Sequence, residues 1–400
     1  MRRRAANGET TVNQAHGENR TDSHGPQHPH HHQQTHTTQN SRPGILSQIF
    51  SWGWKIAVVA LIAPPFLNYA SLKNEEMHLK PEGQLYDIGW GQRLFMKCQG
   101  DGPPTVILDA PTGMSSDVWS LVWPEIANVT RVCIFDRAGL GYSDRPRENF
   151  TSNDGSEGKS NYRNRWEPFT VERMADDMRH LFTLSSQQPK PFILVGSELS
   201  ALSAYFYAQM HENDVTGLVM INPIADELFD SDNGLWSRYW FGKIIPDLQL
   251  LQFGASLGIS RIAIHFGFLE QPLRETSIAE QVKNRQKYLL CHPKHLSSAV
   301  DEHHFINESI SQIRLARIMK NLPSNMTTTV ISGNMYDKTL SRELNEAWAR
   351  GERKMIQKFF SNAHHIIING VDHHMMYKKP AAVIKPILEI VQNWKDQPSA

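Results

Sequence analysis

The sequence predicts an α/β fold: a doubly wound, mainly parallel sheet with a helical cap insertion. Two observations carry this. From about residue 84, short β-rich runs alternate with helical stretches, and such alternation builds a parallel sheet covered on both faces. Before the last two of those runs lie about 100 residues, 223–322, rich in Leu, Ile, Phe and Trp and with no obvious parallel strand. A helical cap over the sheet edge is the natural reading.

Residues 1–43 are polar and hold seven histidines, among them His30, His31 and His32. Such a leader cannot bury enough apolar surface to offset the entropy of ordering and is expected to be disordered. Histidine tracts can bind transition metals. Here no spacing defines a coordination geometry, so no metal site is assigned.

Residues 44–71 hold the most apolar stretch, centred on Ile56-Ala-Val-Val-Ala-Leu-Ile-Ala63 and followed by Pro64-Pro65-Phe66-Leu67. About 20 apolar residues cross a bilayer, and Leu46 to Leu67 suffices despite Lys55 and the prolines. Trp52 and Trp54 suit the interfacial belt, and Lys55 can snorkel. The reading is a single-pass membrane anchor, with an interfacial helix or a buried domain helix as alternatives. The polar region ahead of it is too long for a secretory signal of ordinary form. Arg2, Arg3, Arg4, Arg20 and Arg42 precede the segment, whereas Lys73 and Lys80 follow among Glu75 and Glu76. This bias leans the N-terminus to the cytosol. Residues 72–400, the folded domain, would then lie in the lumen of the endoplasmic reticulum or another secretory-pathway membrane, or outside. Glycosylation triplets at Asn128, Asn149, Asn307 and Asn325 agree.

Composition narrows the classes. Four hundred residues allow one large domain with appendages. A net charge of zero argues against a nucleic-acid partner, which asks for a basic face. Cys98, Cys133 and Cys291 are too few and too scattered for a disulfide framework or zinc site. Cys133, inside an apolar run, reads as a small buried hydrophobe. No motif implies a metal, nucleotide or redox cofactor.

Gln84-Leu-Tyr-Asp-Ile88 and Arg93-Leu-Phe-Met-Lys97 read as an opening hairpin. Thr105–Leu108, Arg131–Phe135, Phe192–Val195 and Gly217–Ile221 read as central strands, and Thr328–Ile331 and His365–Ile368 as the last two. The polar segment Arg147 to Trp166 reads as a mobile surface loop.

Five runs then occur in a telling order. They are Asp109-Ala-Pro-Thr-Gly-Met-Ser-Ser-Asp-Val-Trp119, Phe135-Asp-Arg-Ala-Gly-Leu-Gly-Tyr-Ser-Asp144, Leu194-Val-Gly-Ser-Glu-Leu-Ser-Ala201, Ile331-Ser-Gly-Asn-Met-Tyr-Asp337 and Gly370-Val-Asp-His-His-Met-Met-Tyr-Lys-Lys-Pro380. Together they resemble the α/β-hydrolase fold family over about residues 84–394. The resemblance implies, in order, the loop after the third strand, the D-R-x-G-x-G-x-S turn, the nucleophile elbow, the strand end carrying the acid, and the histidine loop.

The elbow departs from the family. In G-x-S-x-G a serine tops a strained strand-to-helix turn. Here the five positions are Gly196-Ser197-Glu198-Leu199-Ser200, so the apex is Glu198. Some family members carry aspartate there and form an ester intermediate, as epoxide hydrolases do. Glutamate is one methylene longer, and misplacement on the order of 1 Å can cost about a hundredfold in rate. Ser197 precedes the apex and Ser200 lies on the first helical turn; neither is expected to point at the histidine. The resemblance implies His373 as base and Asp337 as its orienting acid. His374 competes for the base role, but the seven-residue spacing to Pro380 favours His373. The oxyanion hole would use the backbone N–H groups of Thr112 and Leu199. Pro111 replaces a usual glycine there and lacks an N–H. Asp136-Arg137, with Gly139 and Gly141, reads as scaffold for its turn.

Two functions follow. The first is a catalytically inactive or strongly altered homologue that keeps a pocket for a small apolar ligand, a lipid or a protein partner. The second is an active hydrolase of ester, epoxide or lipid-like substrates, using Glu198 with His373 and Asp337 as nucleophile or general base.

Overall fold

The computed structural model describes residues 45–89, 91–146, 167–185, 188–323 and 326–396, with backbone alone for 45–50. The leader, the loop expected at 147–166, Asn149 and Asn325 lie outside the described residues. Among the described residues there are eight strands: β1 Gln84–Asp87, β2 Arg93–Gln99, β3 Thr105–Leu108, β4 Val132–Phe135, β5 Phe192–Ser197, β6 Val215–Ile221, β7 Thr327–Gly333 and β8 His364–Ile368. They form one sheet in the order β1-β2-β4-β3-β5-β6-β7-β8. β1 and β2 form an antiparallel hairpin, β2 is antiparallel to β4, and every other pairing is parallel. All eight expected strands are present, with ends displaced by no more than two residues.

The sheet is legible because β3, β4 and β5 are buried along their whole length. A strand covered on both faces carries a continuous apolar run. Alternate residues feed two cores. Cys133, Phe135, Leu194 and Met220 meet one core; Val132, Ile134, Val195 and Ile221 meet the other. On the first face pack α3 (Val171–Leu184), α4 (Leu199–Met210) and α11 (Arg342–Phe359). The second face carries α2 (Trp123–Ala127), α12 (Met375–Lys378) and α13 (Ala381–Lys395). α11 shows why such helices form. The Ser341 hydroxyl caps it by accepting from the Leu344 N–H, and Leu344, Ala347, Trp348, Gly351 and Met355 make one buried stripe.

The insertion before β7 is helical, as expected. It holds α5 (Leu235–Tyr239), a π-helical turn Trp240–Ile244, α6 (Ile245–Ser256), α7 (Ile259–His265), α8 (Glu280–Leu290), α9 (Pro293–His304) and α10 (Ile306–Met319).

The first helix, α1 (Ile45–His78), runs past residue 71. The chain divides into residues 1–55 and 56–400, so the later part of α1 belongs with the folded domain. Asn68, 4% exposed, donates to the carbonyls of Ala255 and Cys291 and accepts from Arg261 Nε. Arg261 grips Glu75 through both carboxylate oxygens, at 2.6 and 2.7 Å. The boundary expected at residue 72 therefore falls inside a docked helix. Asn68 and Glu75, on its polar end, are partners of the cap.

One reading is corrected. Cys98 and Cys133 form a disulfide, although they lie 35 residues apart. The pairing of β2 with β4 sets them directly opposite each other. Cys133 is buried as expected, but as half of a cross-link; Cys291 is the free, buried cysteine. A cross-link over 35 residues stabilises by restricting the unfolded chain. The Cys98→Ser/Cys133→Ser variant should lose about 3–4 kcal/mol in denaturant titration; an unchanged midpoint would contradict the cross-link.

Candidate functional site

β5 delivers the elbow and α4 leaves it. Glu198, the connecting residue, has φ 57° and ψ −117°, a backbone region that costs about 1–3 kcal/mol for a residue with a side chain. Its neighbours hold that bend. A Cβ at Gly196 would lie 2.4 Å from the Ser200 carbonyl oxygen, so only glycine fits. The Ser200 hydroxyl accepts from the Ser197 N–H at 2.7 Å and reaches the carbonyls of Ser197 and Asp109 at 2.9 and 3.2 Å. Ser200 is thus a brace of the turn, and Ser197 is wholly buried.

The Glu198 carboxylate is only 5% exposed. Its Oε2 accepts from the Thr112 N–H at 3.2 Å, and its Oε1 accepts from the Tyr336 hydroxyl at 2.8 Å. The Leu199 N–H points at Thr112 Oγ1, 3.4 Å away. Both N–H groups expected to line an oxyanion hole therefore converge here, and both already have acceptors. Pro111 does not remove the Thr112 donor.

His373 reaches the same cluster. Its ring stacks on Tyr336, with centroids 4.5 Å apart, and Tyr336 stacks in turn on Trp348 at 3.8 Å. Nδ1 of His373 lies 2.8 Å from the Tyr336 carbonyl but 4.0 Å from Asp337 Oδ2. The nearer acceptor puts the proton on Nδ1 and leaves Nε2 as the basic nitrogen. Asp337 Oδ1 accepts from the N–H and hydroxyl of Thr339, both at 2.8 Å, and so braces its own turn. His374 pairs with Asp372 instead, at 3.5 Å. Of the residues expected in the site, Glu198, Thr112, Leu199 and His373 come together around Tyr336. Asp337 stands one step back.

Burial holds the His373 imidazole below its ordinary value, and the adjacent His374 adds to this; Glu198 and Asp337 pull the other way. Burial, then the Glu198 charge, pushes the Tyr336 phenol well above its ordinary value. Tyr336 is therefore a fixed donor to the carboxylate.

Three participants carried no sequence signal: Tyr336, Glu302 and His303. Glu302 and His303 come from α9 of the cap. Glu302, fully buried, accepts from the Gly113 N–H at 2.7 Å and from Nε and Nη2 of Arg137, each at 2.8 Å. Arg137 also donates to Asp109, the Ala110 carbonyl and the Pro111 carbonyl. It is scaffold as expected, but for the loop after β3 and the cap rather than for its own turn alone. His303 adjoins Gly113 and feels the Glu198 charge. Among the described residues, no group of three or more His, Cys, Asp and Glu is arranged to hold a metal.

A family model described as alpha/beta hydrolase fold matches residues 103–380. Solved structures with the same fold include the epoxide hydrolase CorEH, at 17% identity and TM-score 0.54, covering 78% of this chain and 99% of that one. Another is the Cif epoxide hydrolase from Acinetobacter nosocomialis, at 13% identity and TM-score 0.58, covering 82% and 96%. At such identities the likeness is one of fold. A curated relative, the probable transporter efuK of Hormonema carpetanum, is 25% identical over 163 residues. That match covers 39% of this chain and 21% of the relative, so the chain spans about a fifth of its length.

The His373 shift has a sign that can be read by NMR. Its imidazole should titrate below the free value of about 6.5. Because the Glu198 charge favours the protonated ring, Glu198→Gln should lower the midpoint further. A midpoint at or above the free value, or one unmoved by the substitution, would place His373 outside this environment.

Proposed function

The chain belongs to the α/β-hydrolase fold family, and we propose that it works by binding rather than by acyl transfer, as a membrane-anchored homologue with Glu198 in place of a nucleophilic serine. One observation carries this reading. The apex carboxylate is hydrogen-bonded to Thr112 N–H, the donor that would otherwise receive a substrate oxyanion. A substrate oxyanion would have to displace one negative group and lie beside it. The apex offers no hydroxyl for His373 to deprotonate. Ligands of such sheets bind outside the carboxyl ends of the strands, the side on which α9 of the cap meets the loop after β3. A small apolar ligand or lipid is the class we assign to this side.

The anchor reading draws on α1. Ser51–His78 is long and apolar enough to cross a membrane, and only 6% of its most apolar window is buried. The Cys98–Cys133 disulfide favours an oxidising compartment, and the side chains of Asn128 and Asn307 are exposed. Both support a lumenal or external domain. Glycosidase treatment of the native protein should then shift it on a gel. An unshifted band, with the domain digested by protease added outside sealed vesicles, would place it in the cytosol.

A second reading keeps catalysis. If Glu198 Oε1 opened an epoxide, Oε2 would become the carbonyl oxygen of the resulting ester, and Thr112 N–H already faces it. The Tyr336 hydroxyl on Oε1 opposes that attack. Incubation with an epoxide panel followed by peptide mass analysis distinguishes the two, since only the second gives an adduct on Glu198.

Fluorophosphonate labelling tests the main reading. The wild type should not label stably, because a phosphorylated carboxylate is a mixed anhydride and hydrolyses. Glu198→Ser restores a hydroxyl at the apex and frees Thr112 N–H, so labelling should appear and should vanish again with His373→Ala. Stable labelling of the wild type would mean that another residue is the nucleophile.

A further inference from the structure

We propose that the turn joining α6 and α7, with the apolar face of both helices, docks on the lipid bilayer that α1 enters; this rests on the anchor reading of α1. Six large apolar side chains on this hairpin stand in the open: Leu250, Phe253, Ile259, Ile262, Phe266 and Phe268, at 43–85% exposure. They are not scattered. Leu250 and Phe253 are three apart on α6. Ile259, Ile262 and Phe266 fall at the i, i+3, i+7 spacing that puts them on one side of α7 and its end. A clustered apolar surface of this kind marks a partner.

The position of α1 identifies that partner. Gly258, in the α6–α7 turn, has φ +74°, and a Cβ on it would lie 2.2 Å from the Pro64 carbonyl oxygen. The turn therefore meets α1 at backbone distance. Around Pro64 the helix exposes Leu61, Ile62, Phe66 and Leu67, each at least 60% open. The two apolar surfaces adjoin. A water-soluble protein seated on the hairpin would leave this part of α1 in water, whereas a bilayer covers both.

The height along the helix agrees. Pro64 lies three residues before Leu67, where the unbroken apolar run ends, or about 4–5 Å at the helical rise. Interfacial helices bury their apolar faces about 5–10 Å into the headgroup boundary. The Asn68 bonds and the Arg261–Glu75 pair lie on the domain side of that level and fix the hairpin to the anchor. Because α6 packs on α9, which carries Glu302 and His303, the cap over Glu198 would rest at the membrane plane.

Depth-dependent quenching tests this in the full-length protein reconstituted in phosphatidylcholine vesicles. Cys98 and Cys133 are joined and Cys291 is buried, so an introduced cysteine can carry an environment-sensitive fluorophore. Phe253→Cys and Phe268→Cys report on the hairpin, Phe66→Cys on the anchor, and Leu315→Cys, exposed on α10, is the control. All four positions are more than half exposed, so folding is not at stake. With lipids brominated in the acyl chain, the labels at 66, 253 and 268 should lose emission while that at 315 does not. Quenching at 66 without quenching at 253 and 268 overturns the docking and leaves the anchor standing. Quenching at 253 and 268 without 66 supports the docked hairpin and removes the anchor. No quenching at any of the three removes both.

Discussion

The buried guanidinium of Arg137 is the constraint on which the site depends. An unpaired charge at that depth would cost several kcal/mol. Burial opposes its protonated form, yet Asp109 and Glu302 outweigh that and hold the group charged. The fork reaches a carboxylate on the loop after β3, two carbonyls of the same loop, and a carboxylate from α9 of the cap. The loop is then fully specified. Gly113 N–H goes to Glu302, Ser116 N–H goes to Asp136, and Thr112 N–H is left facing the elbow. The position of the cap and the geometry of the donor loop are one problem with one solution. Removing either acid would leave a buried charge half-paired, which costs about 3–5 kcal/mol in such settings.

Against that fixed donor, the elbow decides the chemistry. The backbone at Glu198 aims its Cα–Cβ bond toward the loop, as it would for any side chain at the apex. A serine oxygen sits one bond beyond Cβ. A glutamate carboxylate sits two carbons further out and must settle on whatever donors it meets. At this burial an ionised carboxylate needs such donors, and it finds Thr112 N–H and the Tyr336 hydroxyl. The apex thus holds a carboxylate, with two donors already on it, where a serine would hold a hydroxyl.

Much of this was legible in the sequence. Buried parallel strands announce themselves as runs of Val, Ile, Leu and Phe between turn residues. The apex was legible because Gly196 and Ser200 frame it at the elbow spacing. Other features depend on contacts between distant segments. The Cys98–Cys133 bond follows from the register of β2 against β4, which neither strand encodes alone. Glu302 and His303 lie on a cap helix whose pattern says which face is buried but not which loop it meets. Tyr336 is masked by its neighbour, because the family pattern at that strand end asks for an acid. Asp337 fits that pattern, but Nδ1 of His373 turns to the Tyr336 carbonyl. The polar end of α1 read as the close of a span, because nothing local marks Asn68 and Glu75 as partners of α7.

The cap is held from two directions, and this bears on what the protein can do. On the sheet side, Glu302 pins α9 to Arg137 and to Gly113. On the other side, Asn68 and Glu75 pin the α6–α7 region to α1 through Arg261 and the Ala255 carbonyl. A lid that opens on each turnover needs a weakly held edge, since mobile elements are drawn from the least stable parts of a fold. Here, lifting the cap from the sheet would expose one half of a buried ion pair. Lifting it from α1 would strip the partners from an asparagine that is almost wholly enclosed. A cap fastened on both sides belongs with the stable parts of the fold rather than with its mobile edges.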